Sequence, residues 1–383
     1  MKKIGNMLGW KLGLAVFYAM VALTATAFAE EAKPAGLNSD DVKKALGLSI
    51  YVQGGYTYDA NASGPAGSGS ENDLRVFDHK ANSFGLDLAQ IVFSKDPAAG
   101  VVGYKVKVSA GETAKFIHAT GLGIQQTGPA NPESFDITEA YVSYSAPLGK
   151  GLRFDVGKMV TFFGAEVIEA IDNPNYSRSF LFNYAIPFTH TGAKASYVFS
   201  DNVNAALFVV NGWDNATDNN TDKSIGASVN VSAGDLFSGY INYMQGPEEA
   251  ANNHDNRSLL DLVATIKPIK PLSIILNYDS AQEDHLTASR GTAKWSGFAG
   301  IVKYDINDTY SISVRGESFD DKNGVRTGTA QRLTEVTVTP EIRLANGLVL
   351  RPEYRHDSSG TESFDKGTKK TQDTIALAAM YRW

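Results

Sequence analysis

Hydrophobic residues in this chain recur at every second position, in segments of about ten residues. Tyr310, Ile312 and Val314 alternate with Ser311, Ser313 and Arg315. Val336, Val338, Ile342 and Leu344 alternate with Glu335, Thr337, Thr339, Glu341 and Arg343. Leu348, Leu350 and Tyr354 alternate with Arg351, Glu353 and Arg355. Val102, Tyr104, Val106 and Val108 alternate with Gly103, Lys105 and Lys107. The last segment runs to the final residue: Ile375, Leu377, Ala379, Tyr381 and Trp383 share one parity, Thr374, Ala376, Ala378, Met380 and Arg382 the other. A period of two is a strand. An apolar row opposite a charged row places one face in lipid and the other in water.

About 16 such strands can be counted. Tight turns of Gly, Pro, Asn and Asp, such as 96–100, 233–235 and 345–347, separate some of them. Longer polar stretches near 59–82, 111–133, 161–186, 214–222, 246–256, 283–293, 320–328 and 358–371 separate the rest. The two kinds alternate, seven short and eight long. The predicted fold is therefore all-β: a transmembrane antiparallel β-barrel with short periplasmic turns, long extracellular loops and both ends on the short-turn side. Aromatic residues fall into two groups, read as girdles at headgroup level. Phe154, Phe199, Phe237, Tyr304, Tyr310, Tyr381 and Trp383 lie near short turns; Tyr56, Trp213, Tyr243, Tyr278, Trp295 and Tyr354 lie near long loops. Parity flips around Leu88-Ala89-Gln90, which predicts a β-bulge. Lys158 shares the parity of Leu152, Phe154 and Val156, so it is expected outside the bilayer or reaching to headgroups.

The two ends add a destination. Lys2, Lys3 and Lys11 precede an apolar run from Leu12 to about Ala25, then Ala27-Phe28-Ala29, which reads as a secretory signal peptide cleaved after Ala29. Residues 30–47 read as a periplasmic lead-in, and 48–383 as the barrel. The terminal Tyr381 and Trp383 resemble the C-terminal aromatic signal of bacterial outer-membrane proteins, which implies the barrel-assembly machinery and outer-membrane lipid as partners. Composition removes other classes. Loss of residues 1–29, with three Lys and no acid, moves the net charge from −7 to about −10, unlike a nucleic-acid binder. The chain has no Cys, so thiolate metal sites and CxxCH haem attachment are excluded.

The stretch from Gly157 to Tyr197 is the most distinctive. Its Gly-Lys opening, Phe-Gly-x-Glu, Asn-x-Ser-Arg-Ser and Ile-Pro-Phe-Thr-His-Thr-Gly resemble the OmpL-like β-barrel porins of Gram-negative bacteria. The resemblance implies an outer-membrane solute channel whose third long loop, at about 161–186, folds into the lumen and narrows it. Glu166, Glu169, Asp172 and Arg178 would then stand at the constriction. By parity Arg315, Arg343, Arg351 and Arg355 face inward as a basic wall, and a basic wall opposite an acidic loop would set a transverse field. The other reading pairs these charges with each other, so that they only staple the loop.

No further chemistry stands out. His190 has no His or Cys partner nearby for zinc, and 214–222 lacks the Gly and terminal Glu of an EF-hand. No phosphate loop and no nucleophile with its base is present, so no cofactor, metal or catalytic residue is assigned. The expected function is a porin, passing small hydrophilic solutes or ions, in a chain of a size compatible with a homotrimer. The alternative is a structural barrel that sheathes a periplasmic or electron-transfer partner or displays surface loops.

Overall fold

The computed structural model describes residues 43, 46–61, 71–122, 134–286 and 291–383. The expected signal peptide, and all of the lead-in except residues 43, 46 and 47, lie outside the described residues. From Gly47 the chain is one barrel. Its strands are β1 (Leu48–Asp59), β2 (Ser83–Lys95), β3 (Val102–Ala110), β4 (Phe135–Ala146), β5 (Leu152–Val160), β6 (Thr189–Ser200), β7 (Val203–Val210) and β8 (Ser224–Ala233). The second half holds β9 (Phe237–Pro247), β10 (Asn256–Ile269), β11 (Leu272–Glu283), β12 (Ala293–Asp305), β13 (Tyr310–Asp321), β14 (Gln331–Arg343), β15 (Leu348–Ser359) and β16 (Thr371–Arg382). One short helix, α1 (Glu112–Phe116), lies between β3 and β4.

Each strand pairs antiparallel with its neighbours in sequence, and β16 pairs with β1, which closes the sheet and leaves no edge. At the seam Ile50 and Trp383 exchange both backbone hydrogen bonds, each 2.9 Å. Closure matters because lipid offers no partner to an unpaired strand. The sixteen strands, seven turns and eight loops fall where the alternation and turn residues place them.

The outer face carries the apolar parity. Val142, Val156, Leu207, Ile225, Ile241, Phe298, Val336, Ile375 and Leu377 are all exposed, as residues meeting lipid tails must be. Three local features differ from expectation or refine it. The β2 bulge is present, and its extra residue is Asp87: Gln53 pairs with Leu88 and Gly54 with Leu86. Lys158 does not face lipid. It is buried against Asp136, with Nζ 3.1 Å from Oδ2 and donating to the Ile137 carbonyl at 2.7 Å. The residue before it, Gly157, has φ 138°, and a Cβ there would collide with the Ala140 carbonyl. Register runs unbroken through this glycine, Val156 pairing with Val142 and Lys158 with Ala140. The break in alternation is on β4, where Thr138 is bulged between Ile137 and Glu139, and Lys158 bonds to Ile137 and Asp136 beside that bulge. Trp213 and Trp295 leave the predicted outer girdle as well; both are buried inside the extracellular mouth. Of the remaining girdle residues, Phe154, Phe199, Tyr243, Tyr278, Tyr304, Tyr310 and Tyr354 are exposed on the outer face, and Tyr56, Phe237, Tyr381 and Trp383 are half-buried.

Candidate functional site

The loop from 161 to 188, between β5 and β6, lies inside the barrel. It carries a 3-10 turn at Ala170–Asp172 and a π-helical turn at Leu181–Ala185. Phe163, Ile168, Tyr176, Phe180, Leu181, Phe182 and Ile186 are buried. They join one apolar cluster with Leu333, Phe319, Ala376, Ala378 and Met380 of the wall. That explains why the inner parity of β16 is apolar rather than wet: the loop lands on it.

An irregular backbone buried at membrane depth needs a partner for each of its polar groups. Here the wall supplies them by charge type. Its carboxylates accept from loop N–H groups. Glu353 takes Tyr176 and Ser177 at 2.7 and 3.0 Å. Glu317 takes Phe180 and Leu181 at 2.5 and 3.1 Å. Asp261 takes Gly164 at 3.1 Å. Its arginines donate to loop carbonyls. Arg315 reaches Ser177 at 2.6 Å, Arg355 reaches Arg178 at 2.6 Å, and Arg351 reaches Ala170 and Asn175 at 2.5 and 3.2 Å. The bulged Asp87 accepts from the Tyr176 hydroxyl at 2.8 Å.

The predicted constriction residues divide accordingly. Glu166 is buried, accepts from the Ser179 N–H at 2.8 Å and pairs with Arg315 at 2.8 Å. Glu169 is buried and pairs with Lys107 at 2.8 Å, with Gln90 donating to the same oxygen. Arg178 is buried, and among the described residues it has no carboxylate within 4.0 Å. It donates instead to the carbonyls of Val167, Ile168 and Tyr176, over the ring of Phe77. Asp172 is elsewhere: it is exposed and pairs with Arg382 at the foot of β16. Of the basic wall, Arg315, Arg351 and Arg355 are buried and pair with Glu335, Glu341 and Asp357 respectively, at 2.7, 2.5 and 2.7 Å. Arg343 is at the short-turn end with Asp305, 2.8 Å away. A basic wall separated from an acidic loop by an open gap is therefore not what these residues form. Arg315, Arg351 and Arg355 touch their acids, and Arg178 is satisfied by carbonyls instead, because a buried guanidinium with no partner at all would cost several kcal/mol.

Water-facing charge lies on the other wall. Lys105, Arg153 and Lys194, on β3, β5 and β6, have side chains 29, 34 and 26% exposed. Their acid partners Glu139 and Asp155 are 3 and 2% exposed. The pairs are close, Lys105 to Glu139 at 2.8 Å, Arg153 to Asp155 at 2.7 Å and Lys194 to Asp155 at 3.3 Å. Yet the cations face the lumen while the carboxylates sit behind them. Sequence parity marked Lys105 as inward, and the row Leu152, Phe154 and Val156 puts Arg153 on the inward row as well, though it was not singled out; Lys194 lies between Ala193 and Ala195, which give no contrast.

A closed sixteen-strand barrel with one loop folded inside and lipid-facing apolar parity is a porin-type outer-membrane channel protein. Residues 45–383 match the family described as "Putative beta-barrel porin-2, OmpL-like", and the chain belongs to that family. No sequence among the curated proteins is a significant match. Among solved structures it is similar to the outer membrane channel DcaP of Acinetobacter baumannii, at 11% identity and TM-score 0.60, covering 88% of this chain and 96% of that one. It is also similar to an anion-selective porin from Comamonas acidovorans, at 12% identity and TM-score 0.59, covering 88% and 98%. A third, OmpT of Vibrio cholerae in a trimer form, has 12% identity and TM-score 0.52 over 88% and 98%.

Proposed function

We propose that the barrel is a passive diffusion channel for small hydrophilic solutes or ions, and that its open lumen prefers anions. The observation that carries the preference is the row Lys105, Arg153 and Lys194, exposed to the lumen in front of buried acids. A ring or wall of one charge raises the local concentration of the opposite ion. The docked loop narrows the passage, with Glu166, Glu169 and Arg178 holding it in place. In this reading Tyr381 and Trp383 serve assembly by the barrel-assembly machinery, and the protein works among outer-membrane lipid, as single barrels or as homotrimers. Planar-bilayer recording of the folded protein is the test. Stepwise conductance is expected, with a reversal potential in a KCl gradient of the sign that chloride carries. A folded protein without conductance steps would end the channel reading; steps with a potassium-signed potential would end the anion preference alone.

A further inference from the structure

At the extracellular mouth two arginines share two tryptophans. The Arg257 guanidinium lies 4.8 Å from the Trp213 ring and 5.9 Å from Trp295; that of Arg326 lies 5.2 and 5.3 Å from the same rings. The rings meet edge to face at 6.2 Å. The four residues come from the β7–β8 loop, β10, β12 and the β13–β14 loop, and each is fixed. Trp213 donates its backbone N–H to Glu248 at 2.7 Å, and Trp295 donates its indole N–H to the Ala185 carbonyl at 3.2 Å. Arg326 sits in a loop whose Val325, Arg326 and Thr327 N–H groups all bind the Asp321 carboxylate, at 2.7–3.0 Å.

Like charges held this close repel unless an anion lies between them. Glu283 neutralises Arg257, at 2.7 Å. Among the described residues Arg326 has no carboxylate within 4.0 Å; it donates only Nε, to the Tyr184 carbonyl at 2.7 Å. Burial, and then the Arg257 charge, act against its protonated form. Asp214, Glu283 and Asp321 act on Arg326 through space without touching its guanidinium, and Asp321 is turned toward the N–H groups of its own loop. Among the described residues the Arg326 guanidinium is thus in contact with no carboxylate, and its bond to Tyr184 uses Nε alone. Stacking covers the flat face of a guanidinium and leaves its in-plane N–H edge available, which suits the planar oxygen pair of a carboxylate.

We propose that Arg326 and Arg257, backed by Trp213 and Trp295, form a binding site for a small monocarboxylate at the extracellular mouth. The one guanidinium edge without a carboxylate contact matches the two oxygens of one carboxylate, whereas a phosphate dianion would be repelled by the surrounding Asp214, Glu283 and Asp321. The site goes beyond the channel proposed above and depends on it only for the solute's onward path, since binding can be read without conductance.

Tryptophan fluorescence of the full chain folded in detergent reads it, because Trp213 and Trp295 touch the site. Sodium acetate, titrated against sodium chloride at constant ionic strength, is expected to give a saturable change. Arg326→Gln should weaken it by about tenfold or more, and Arg326→Lys should restore only part, since the fork is lost. Arg326→Gln removes no ion pair, and unchanged heat-modifiable gel mobility will show that it folds. A Trp383→Phe background should keep the whole signal. An acetate response equal to that of chloride, or Arg326→Gln binding like the parent, overturns the site. Phosphate binding more tightly than acetate overturns the carboxylate assignment.

Discussion

The two halves of the inner wall carry similar residues and do different work. On β13 and β15, Arg315, Glu317, Arg351, Glu353 and Arg355 are buried and hold the 161–188 loop by its backbone, and Glu335 of β14 braces Arg315. On β3, β5 and β6, Lys105, Arg153 and Lys194 face the lumen with their acids behind them. Both sets point inward. What separates them is whether a loop lies on top. An inward charge under a docked loop is an anchor, because it completes hydrogen bonds that an irregular backbone needs at membrane depth. An inward charge in open water acts on passing ions.

The β1–β16 seam holds the anchored side closed, so breaking it has the largest effect. Deleting Tyr381-Arg382-Trp383 removes the paired hydrogen bonds between Trp383 and Ile50. The expected outcome is loss of most outer-membrane-inserted protein, read by fractionation and by heat-modifiable gel mobility. Normal insertion would reduce the terminal aromatic to an ordinary strand residue.

Next is Arg315→Ala. It strands Glu166 without its base, deep in the packed region, and leaves Glu335 only the more distant Arg355 at 3.7 Å. Breaking such a pair costs about 3–5 kcal/mol. The loop should detach, and the conductance should rise while the ion preference changes little. A lower urea midpoint of unfolding with larger conductance steps is the expected pair of results. If the reversal potential collapsed instead, Arg315 would belong to the open lumen and the division of the wall would fail.

The opposite wall should answer in the opposite way. Lys105→Glu, Arg153→Glu and Lys194→Glu together should move the reversal potential toward potassium, with step size altered far less than by Arg315→Ala. Each single change should move it by about a third of the total if the three contribute equally. Lys105→Glu should cost the least stability, because Lys107 still pairs with Glu139 at 2.9 Å. Arg153→Glu and Lys194→Glu together strand the buried Asp155 and should cost several kcal/mol, so folding is checked by heat-modifiable gel mobility.

Most of the barrel was legible because a strand in lipid must alternate and a turn must use turn residues. Strand count, loop order, the bulge near Leu88 and the inward folding of the third loop all follow from pattern or family resemblance. Legibility failed at places where one residue changes the frame. The bulged Thr138 of β4 lies beside Lys158, whose side chain bonds to Ile137 and Asp136 there, a contact that parity along β5 does not show. Trp295 has an aromatic's preference for a half-wet boundary, yet it sits on the inner row, stacked with arginines. The constriction charges were found, but their work was not readable. Pairing Glu166 with Arg315 spans 149 positions, and nothing in either segment announces the other. Arg75, buried with Asp357 at 2.5 Å, gave no signal at all from its polar loop.

The smallest effect is the most discriminating. Asp172 belongs to the same loop as Glu166 and, like it, faces an arginine, yet its pair with Arg382 is open to water, both side chains being about two-fifths exposed. Water screens that attraction, and holding two flexible side chains together consumes much of what remains. Asp172→Asn should therefore change stability by about 0–1 kcal/mol and leave conductance steps within error. Glu166→Gln should lower the urea midpoint clearly, because the Arg315 guanidinium it faces has no water to turn to. Were Asp172→Asn to shift the reversal potential as strongly as the three lumen cations together, the narrowest point of the passage would lie at the foot of β16 rather than beside β3, β5 and β6. Burial would then be the wrong criterion for telling anchors from pore-lining charges.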